Sequence, residues 1–293
     1  MSDVLERVRA TGLLAEERPV VVLLSGGRDS VCLLDCAVRI AGAASVSALH
    51  VNYGLRDGAG DDERHCRALC DELGVALDVE HARRPEAPGN LQAWARDVRL
   101  GAGIRRALRQ AADLATGHTA TDQAETVLYR LAASPGRRAL LGMGARDGRL
   151  VRPLLGLTRE DTAGHCRHRG LDWREDPTNG TDAYARNRIR AELLPALRRV
   201  HPAAERNVVR TAALLRDEAE VLDDVVDTAL GGRDRIAVEH LALLPRALAR
   251  LVVRRLAEEV VGGLCGRAAT RLDDILALGD GALDVGDGVR AIV

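Results

Sequence analysis

The sequence contains no lysine and no phenylalanine, and aromatic residues make up only 2% of it. Every permanently charged side-chain cation is therefore an arginine. This excludes the lysine of a Walker-A phosphate loop and any mechanism that passes through a lysine Schiff base. The scarcity of aromatic rings also means that aliphatic side chains, mainly those of Ala, Leu and Val, have to fill the core.

Long apolar runs are missing as well. No segment approaches the roughly 18–20 consecutive apolar residues that a membrane-spanning helix needs. Near the start of the chain, Asp3, Glu6, Arg7 and Arg9 stand where a secretory signal peptide carries its apolar stretch. We therefore expect a cytoplasmic protein that does not associate with membranes.

The six cysteines form no Cys-x-x-Cys pair and no zinc-finger spacing. Cys32 and Cys36 are four residues apart, as are Cys66 and Cys70. This spacing places both members of a pair on one face of a helix. We interpret all the cysteines as reduced residues that pack in the core.

The length of 293 residues suits roughly two domains. Short β-branched runs such as 20–24 and 46–51 alternate with helical patterns up to about residue 132. This alternation predicts an α/β fold with a doubly wound parallel sheet. Helical patterns over 205–230 and 238–261 follow, and then a hairpin that turns at Asp287-Gly288. We predict a catalytic domain over residues 1–203 and a small, mainly helical domain over residues 204–293.

A glycine-rich loop, Ser25-Gly26-Gly27-Arg28-Asp29-Ser30, follows the first strand. Its glycines permit positive φ and close backbone approach, and the amides at the start of the next helix favour an anion. The serines add hydroxyl donors, and Asp29 suits a site beside phosphate if it holds Mg²⁺. A tight turn with Ser and Asp as helix caps is the alternative. We predict that this loop binds the phosphates of a nucleotide.

A second polar segment, Gly117-His118-Thr-Ala-Thr-Asp122-Gln-Ala-Glu125-Thr126, stands where a strand ends and a helix begins. In a parallel sheet, ligands bind at this edge. Asp122 and Glu125 are three residues apart and share a helix face. The segment offers an imidazole near phosphate, a carboxylate for Mg²⁺ or proton transfer, and a second carboxylate for an ammonium group. Acidic residues that merely complement the helix dipole are the alternative.

Arginines recur in two later segments. Arg96 and Arg99 are three residues apart and can reach one anion from one helix face. Between residues 181 and 210, seven arginines face three acidic residues, a local excess of four positive charges in a chain of net charge −1. This favours contact with nucleic-acid phosphates, and a solvated helix face is the alternative. The candidate contact residues are Arg186, Asn187, Arg188 and Arg190.

The glycine-rich loop resembles the pyrophosphate loop of the N-type ATP pyrophosphatases, whose fold is adenine-nucleotide alpha-hydrolase-like. The order of motifs over about residues 19–200 resembles one branch of that group, the tRNA(Ile)-lysidine synthetases. Tyr53, Gln92 and Thr121 depart from the family pattern, which has His, Glu and often an acidic residue there. The further matching motifs are His50-Val-Asn-Tyr53-Gly-Leu-Arg56, the segment 91–100, Arg152-Pro-Leu-Leu and the segment 173–190.

The resemblance implies a ligase that joins free L-lysine to C2 of the wobble cytidine of a CAU-anticodon tRNA(Ile). It implies ATP and Mg²⁺, an adenylated tRNA intermediate, and release of AMP and pyrophosphate. The implied ATP contacts are the loop 25–30, His50, Arg96, Gly117 and His118. The implied catalytic residues are Asp29, His118, Asp122 and Glu125, with Asp29 and Asp122 on the metal. The implied substrate or tRNA contacts are Arg99, Arg186, Asn187, Arg188 and Arg190. The oligomeric state stays open, with a homodimer as one option.

Two other functions stay open on the sequence alone. Relatives with the same loop thiolate tRNA, and they generally need a cysteine pair that this chain lacks as Cys-x-x-Cys. A non-catalytic adenine-nucleotide-binding module would use the loop as a sensor, and would leave the segment 117–126 and the arginine run 186–190 without a role. Only the lysidine hypothesis requires lysine, and only the sensor releases no pyrophosphate.

Overall fold

The computed structural model describes residues 3–55, 58–83, 91–133, 136–175, 185–263 and 265–293. Strands and helices alternate through the first half of the chain, as the hydrophobic pattern predicts. The elements are α1 (Val4–Arg9), β1 (Val20–Leu23), α2 (Arg28–Ala41), β2 (Val46–Asn52), α3 (Ala59–Leu73), β3 (Ala76–His81), α4 (Leu91–Arg109), β4 (Asp113–Ala115) and α5 (Ala120–Ala133).

A short hairpin and further helices complete this part of the chain. They are α6 (Arg137–Leu140), β5 (Arg146–Asp147), β6 (Leu150–Val151), α7 (Arg159–Arg169), α8 (Ala185–Arg188), a π-helical turn (Ile189–Leu193) and α9 (Leu194–Val200). The six strands form one sheet in the order β3-β2-β1-β4-β6-β5. All neighbours in it are parallel except β5 and β6. The predicted α/β fold with a doubly wound, mostly parallel sheet is confirmed.

The central strand β1 is buried on both faces, which explains its unbroken apolar run. Val20 and Val22 pack into the hydrophobic cluster that contains the buried side of α2. Val21 and Leu23 point the other way, into a cluster that includes Leu114 of β4. Because both faces of β1 are packed, the position of its carboxyl end, where the glycine-rich loop begins, is fixed by the core.

The later elements are α10 (Ala204–Leu230), α11 (Val238–Leu243), α12 (Arg246–Val261), a 3₁₀ turn (Ala268–Arg271), α13 (Leu272–Leu276), β7 (Ala282–Gly286) and β8 (Val289–Ile292). The helical pattern over 238–261 corresponds to two helices, α11 and α12, because Pro245 interrupts it. Leu244 takes the extended conformation (φ −70°, ψ 148°) that a residue before proline prefers. The hairpin turns at Asp287-Gly288, as predicted, with positive φ at both residues.

The chain divides into two compact units, residues 1–213 and 214–293. The second unit has its own apolar core of aliphatic side chains, to which Val252, Ile275 and Val285 belong. The predicted domain boundary between residues 203 and 204 stays a prediction. Within the described ranges, no helix combines the length and the apolar character that crossing a membrane requires.

Candidate active site at the ends of β1 and β4

The sheet reverses its direction of winding between β1 and β4. From β1 the chain proceeds through β2 to β3 on one side, whereas β4 and β6 lie on the other. In a doubly wound sheet, the carboxyl ends of the two strands at such a switch point flank the ligand-binding crevice. The two polar segments singled out in the sequence, residues 25–30 and 117–126, follow these two strands.

The loop after β1 is organised by its own serines. The Ser30 hydroxyl donates to the Gly27 carbonyl at 2.7 Å and accepts from the Ser25 amide at 3.2 Å, while the Gly27 amide donates to the Ser25 hydroxyl at 3.3 Å. Gly26 has φ +80°, a conformation that side chains other than glycine rarely adopt. Helix α2 begins at Arg28, and its N-cap Gly27 supplies no side-chain cap. The first amides of a 14-residue helix are therefore directed at the crevice.

Gly117 brings the second loop directly against this helix start. A Cβ atom at position 117 would lie 3.0 Å from the Asp29 carbonyl and 3.1 Å from the Ser30 amide nitrogen. No larger residue fits without moving one of the two backbones. The two polar segments are thus held at van der Waals distance, at one site. This proximity does not test the predicted phosphate binding of the first segment or the predicted catalytic role of the second.

Three carboxylates, the acidic trio Asp29, Asp122 and Glu125, converge in this crevice. The Arg159 guanidinium lies 3.0 Å from Asp122 and 3.9 Å from both Asp29 and Glu125. Arg190 makes a bidentate pair with Glu125, at 2.6 and 2.9 Å, and lies 3.9 Å from Asp122. Arg28 also pairs with Asp29, at 3.1 Å, so three arginines balance the charges of the three acids.

The acids differ in how the protein holds them. Glu125 is 2% exposed and takes both oxygens to Arg190. Asp29 accepts a hydrogen bond from the Thr162 hydroxyl at 2.5 Å and one from Arg28 at 3.1 Å. Burial alone would raise the pKa of Asp122, but the Arg159 charge and the hydrogen bonds donated by Thr119 together outweigh burial and hold that pKa below its usual range. Asp122 is consequently a carboxylate at neutral pH.

Four arginines beside this crevice form an arginine cluster: Arg96, Arg99, Arg152 and Arg186. Burial lowers the pKa of Arg96, and repulsion from the other three adds to the effect. Arg152 is 5% exposed, donates to the Gly144 carbonyl at 2.6 Å, and leaves its Nε without a partner. Among the described residues, no carboxylate forms an ion pair with any member of this cluster. Arg152 is buried, Arg96 and Arg99 are half-buried, and Arg186 is exposed. Such a set of cations is suited to an anionic ligand.

His118 stands next to both groups. Its Nδ1 lies 2.8 Å from the Thr116 hydroxyl. Burial lowers the pKa of His118 to about 4, with further lowering by the charges of Arg152, Arg99 and Arg96. The imidazole is therefore neutral at physiological pH, and it acts as a hydrogen-bonding group and not as a cation.

His50 lies next to the start of the glycine-rich loop. It is 5% exposed, and its Nδ1 donates to the Leu24 carbonyl at 2.9 Å. The Cys66 thiol lies 3.4 Å from the same nitrogen. In this position His50 fixes the backbone that leads into the loop, and its predicted contact with a nucleotide stays a prediction.

The arginines of the arginine-rich segment differ in exposure. Arg186 and Arg188 on α8 are exposed, whereas Arg190, in the π-helical turn, is turned inward onto Glu125. Arg56, Asp176, Asn179 and Tyr184, which also belong to the matching motifs, lie outside the described residues.

Sequence reasoning missed Arg159 and Thr162. Both lie on α7, which starts with a capping box between Thr158 and Asp161. That Thr-x-x-Asp pattern predicts the start of a helix. The contacts to Asp29 and Asp122, 133 and 37 residues away along the chain, are not readable from one sequence.

Two departures from the family pattern have defined surroundings. The Tyr53 hydroxyl donates to the Ala95 carbonyl at 2.9 Å, and its ring packs edge-on against Trp94, with 5.7 Å between centroids. Thr121 is buried, and its hydroxyl has no hydrogen-bond partner. Tyr53 therefore connects β2 to α4, and Thr121 supplies no second carboxylate. The side chain of Gln92 is outside the described part of the chain.

Comparison with known proteins gives three independent matches. The PP-loop domain model matches residues 3–197. The tRNA(Ile)-lysidine synthase of Thermobifida fusca is 37% identical over 273 residues, which cover 88% of this chain and 82% of that protein. The enzyme of the same name from Thermus thermophilus is 40% identical over 248 residues, covering 83% of this chain but 48% of the relative. This chain thus spans about half the length of the Thermus relative.

A solved structure has the same fold. It is the U34-tRNA thiolase NcsA from Methanococcus maripaludis with its [4Fe-4S] cluster, at a TM-score of 0.62, with 20% identity, covering 73% of this chain and 78% of that one. The family model matches more than half of the chain, and the Thermobifida relative is matched over most of its length. The chain therefore belongs to the PP-loop family and, within it, to the tRNA(Ile)-lysidine synthase family.

Proposed function

We propose that this chain joins free L-lysine to C2 of the wobble cytidine of CAU-anticodon tRNA(Ile), converting ATP to AMP and pyrophosphate. The observation that carries the proposal is one crevice in which the glycine-rich loop 25–30 faces carboxylates that are already paired with arginine side chains. The names of the relatives support the choice of tRNA and product.

The phosphates of ATP lie against the loop 25–30 in this proposal. The helix-start amides and the hydroxyls of Ser25 and Ser30 donate to phosphate oxygens. Arg96 and Arg152 have charge without a carboxylate partner among the described residues, and they offset the negative charge of the phosphates. In this proposal His118 is the tautomer with its hydrogen on Nε2: Nδ1 accepts from the Thr116 hydroxyl, 2.8 Å away, and the Nε2 hydrogen is offered to a phosphate oxygen.

The acidic trio fits a hard divalent cation such as Mg²⁺. Asp29, Asp122 and the Thr162 hydroxyl offer oxygen donors, which Mg²⁺ prefers. The Arg159 guanidinium lies between Asp29 and Asp122, so these two carboxylates already stabilise a positive charge there. When bound, Mg²⁺ neutralises charge on the phosphates during transfer. Asp29 and Asp122 would hold it, and the lowered pKa of Asp122 keeps that ligand ionised at neutral pH.

Glu125 receives the lysine ammonium in this proposal. A buried carboxylate without a partner is costly, and Arg190 removes that cost while lysine is absent. An incoming ammonium group then replaces Arg190 or shares the carboxylate with it. Glu125 is close to Asp122 on the same helix face, so a bound lysine is brought beside the phosphate end of the crevice.

The tRNA contacts lie on α8 and its surroundings. Arg99, Arg186, Asn187 and Arg188 are the proposed contacts to the tRNA backbone. A groove of about 380 Å³ lies beside them, lined in part by Tyr129, Arg188 and Ile189. An aromatic ring and a guanidinium in one groove suit an unstacked base.

Two transfers complete the reaction. In the first, O2 of the cytidine attacks the α-phosphorus of ATP and pyrophosphate leaves, with the loop amides and arginines holding the developing charge. In the second, the lysine amine attacks C2, and the C2–O bond breaks so that AMP leaves with that oxygen. The amine proton departs to solvent or to the leaving phosphate.

The test is an omission experiment with radiolabelled lysine, ATP, Mg²⁺ and a CAU-anticodon tRNA(Ile) transcript. The proposal expects label in tRNA only when all four are present, and pyrophosphate release that needs tRNA. Pyrophosphate release with no lysine incorporation would instead favour a different tRNA modification. Nucleotide binding with no pyrophosphate release would favour a sensor.

A further inference from the structure

A group of thiols and one imidazole, which the proposed reaction does not use, lies between α2 and α7. Cys32 and Cys36 lie one turn apart on α2, and His165 and Cys166 are neighbours on α7. The three thiols are fully buried and His165 is 8% exposed. We call these four residues the cysteine cluster.

The ligand atoms in this cluster are close to coordination geometry. Those of Cys32, Cys36 and His165 all lie within 4.8 Å of one another, and Cys36 Sγ is 4.0 Å from His165 Nε2. A tetrahedral zinc ion with Zn–S of about 2.3 Å and Zn–N of about 2.0 Å requires S···N and S···S separations of roughly 3.6–3.8 Å. The observed atoms therefore need to contract by about 1 Å or less to meet these distances. The Cys166 thiol lies beside Cys32 and donates to the Arg28 carbonyl at 3.7 Å. It stands outside the group whose ligand atoms lie within 4.8 Å of one another, so it has to leave the Arg28 carbonyl and move inward to become the fourth ligand.

We propose that Cys32, Cys36, His165 and Cys166 bind one Zn²⁺ in a closed, tetrahedral structural site. Three sulfurs and one imidazole nitrogen form a donor set that zinc uses in proteins, and hard cations such as Mg²⁺ do not favour it. Four protein ligands leave no open position, so the site has a structural role.

The surroundings of His165 accommodate this change. In the structure, His165 Nε2 donates to Asp35 at 2.7 Å. Coordination through Nε2 replaces that hydrogen bond and removes a partner from Asp35, which is 1% exposed. Asp35 keeps Arg169 as its counter-ion, at 3.4 Å through two guanidinium nitrogens. The displaced carboxylate is therefore not left without a charge partner.

The other cysteines show that burial alone does not create such a site. Cys66 and Cys70 have the same four-residue spacing on α3 and are also buried. Within the ranges that the structure describes, Cys32, Cys36 and His165 are the one group of three whose ligand atoms all lie within 4.8 Å of one another. The interpretation of all six cysteines as packing residues therefore does not extend to this cluster.

A zinc ion here would connect the two helices that hold the phosphate loop. Helix α2 begins at the loop, and α7 carries Arg159 and Thr162, which contact Asp29. Cross-linking α2 to α7 fixes these contacts without touching the substrates. The expected consequence of zinc loss is a lower melting temperature, before any effect on chemistry.

The test measures metal in the full chain, purified under reducing conditions from medium that contains zinc. We expect about one zinc per chain by elemental analysis in the wild type. The control is the double variant Cys70→Ser/Cys265→Ser, which removes two buried thiols outside the cluster and should keep the zinc. The double variant Cys32→Ser/Cys36→Ser should lose it. Cobalt substitution of the wild type should give the intense visible bands and thiolate charge-transfer absorption of a tetrahedral sulfur site.

Three results would overturn the proposal. These are wild-type protein without stoichiometric zinc, zinc that remains in Cys32→Ser/Cys36→Ser, and a disulfide within the cluster in freshly purified protein, detected by mass spectrometry. If the double variant does not fold, the cobalt spectrum of the wild type decides. A spectrum without thiolate charge transfer then contradicts the assignment.

Discussion

The acidic trio and the arginine cluster occupy neighbouring parts of one crevice, and they differ in how their charges are balanced. Each member of the trio lies within 4.0 Å of an arginine, Arg159 or Arg190. The arginine cluster has no such counter-ion among the described residues. Its buried members carry pKa values lowered by burial.

This difference indicates which ligands each region receives. Carboxylates that are already paired with guanidinium groups can accept another cation in place of the arginine. They therefore suit Mg²⁺ or an ammonium group. Cations held close together without carboxylates gain most from an anion, so they suit phosphates. The predictions below test whether the two regions act separately in this way.

The largest effect is expected for Asp29→Asn. The amide preserves the shape and one acceptor oxygen, and so the hydrogen bond from Thr162 can persist. The charge that would hold Mg²⁺ is lost. We expect pyrophosphate release to fall at least a hundredfold, or about 3 kcal/mol in the activation barrier.

The control for this substitution is Asp71→Asn, which removes an exposed carboxylate on α3. It should leave pyrophosphate release unchanged. Circular dichroism and melting temperature should be unaltered in both variants. Activity of Asp29→Asn above about a tenth of the wild type would remove Asp29 from the metal-binding role, since that loss is under about 1.4 kcal/mol.

Glu125→Gln is expected to separate the two half-reactions. The amide keeps an acceptor for Arg190 but lacks the charge that an ammonium group needs. A hydrogen bond to a charged group contributes about 1.5–3 kcal/mol. We therefore expect lysine transfer from adenylated tRNA to weaken by roughly tenfold to a hundredfold, with a much smaller change in tRNA adenylation.

Measuring both half-reactions in the same preparation decides this prediction. Glu72→Gln, an exposed substitution on α3, is the control and should change neither. Equal losses in both half-reactions would show that Glu125 serves the metal or the fold instead of lysine.

Arg186→Ala and Arg190→Ala should differ in the salt dependence of tRNA binding. Arg186 is exposed and has no acidic partner in the described structure, whereas Arg190 is committed to Glu125. Each phosphate contact contributes just under one unit to the slope of log affinity against log salt. Loss of Arg186 should therefore flatten the slope by about 0.7–0.9, and loss of Arg190 should leave it unchanged.

The measurement is a salt titration of tRNA binding for the wild type and both variants. An unchanged slope for Arg186→Ala would show that this side chain does not reach the tRNA. A flatter slope for Arg190→Ala would show that Arg190 leaves Glu125 when tRNA binds.

The smallest effect concerns the titration of His118. Burial is the main cause of its low pKa of about 4, and the arginine cluster adds to it. Arg96→Ala should therefore raise this pKa without restoring the ordinary value. Histidine signals in a nitrogen-detected NMR titration report it directly, and an unchanged or lower value would show that Arg96 exerts no field at His118.

The same shift links His118 to stability. Because its pKa is lowered in the folded chain, the unfolded chain takes up a proton more readily. The stability that comes from neutral His118 is complete above about pH 6.5, and it is lost as pH falls towards about 4.

Local patterns were enough to predict the sheet and the two polar loops. The apolar run at β1 and the loop 25–30 are short-range features, because residues adjacent in the sequence determine each of them. Asp122 and Glu125 could be placed on one face because helical spacing is also local. Pro245 could have been used in the same way, since the break before it follows from proline geometry.

The rest depended on distances that a single sequence does not encode. Arg159 reaches Asp122 across 37 positions, and Thr162 reaches Asp29 across 133. The position of Arg190 on Glu125 depends on how the turn after α8 packs against α5. For the same reason, four-residue spacing could not distinguish the Cys32/Cys36 pair from the Cys66/Cys70 pair.

The proposed reaction is tested most directly by mass spectrometry of nucleosides from a CAU-anticodon tRNA(Ile) treated with this protein, ATP, Mg²⁺ and lysine. The account predicts that the wobble cytidine gains the mass of one lysine less one water. It also predicts that isotopically labelled lysine shifts the product mass accordingly. An unmodified wobble cytidine, or a product in which oxygen is exchanged for sulfur, would contradict it.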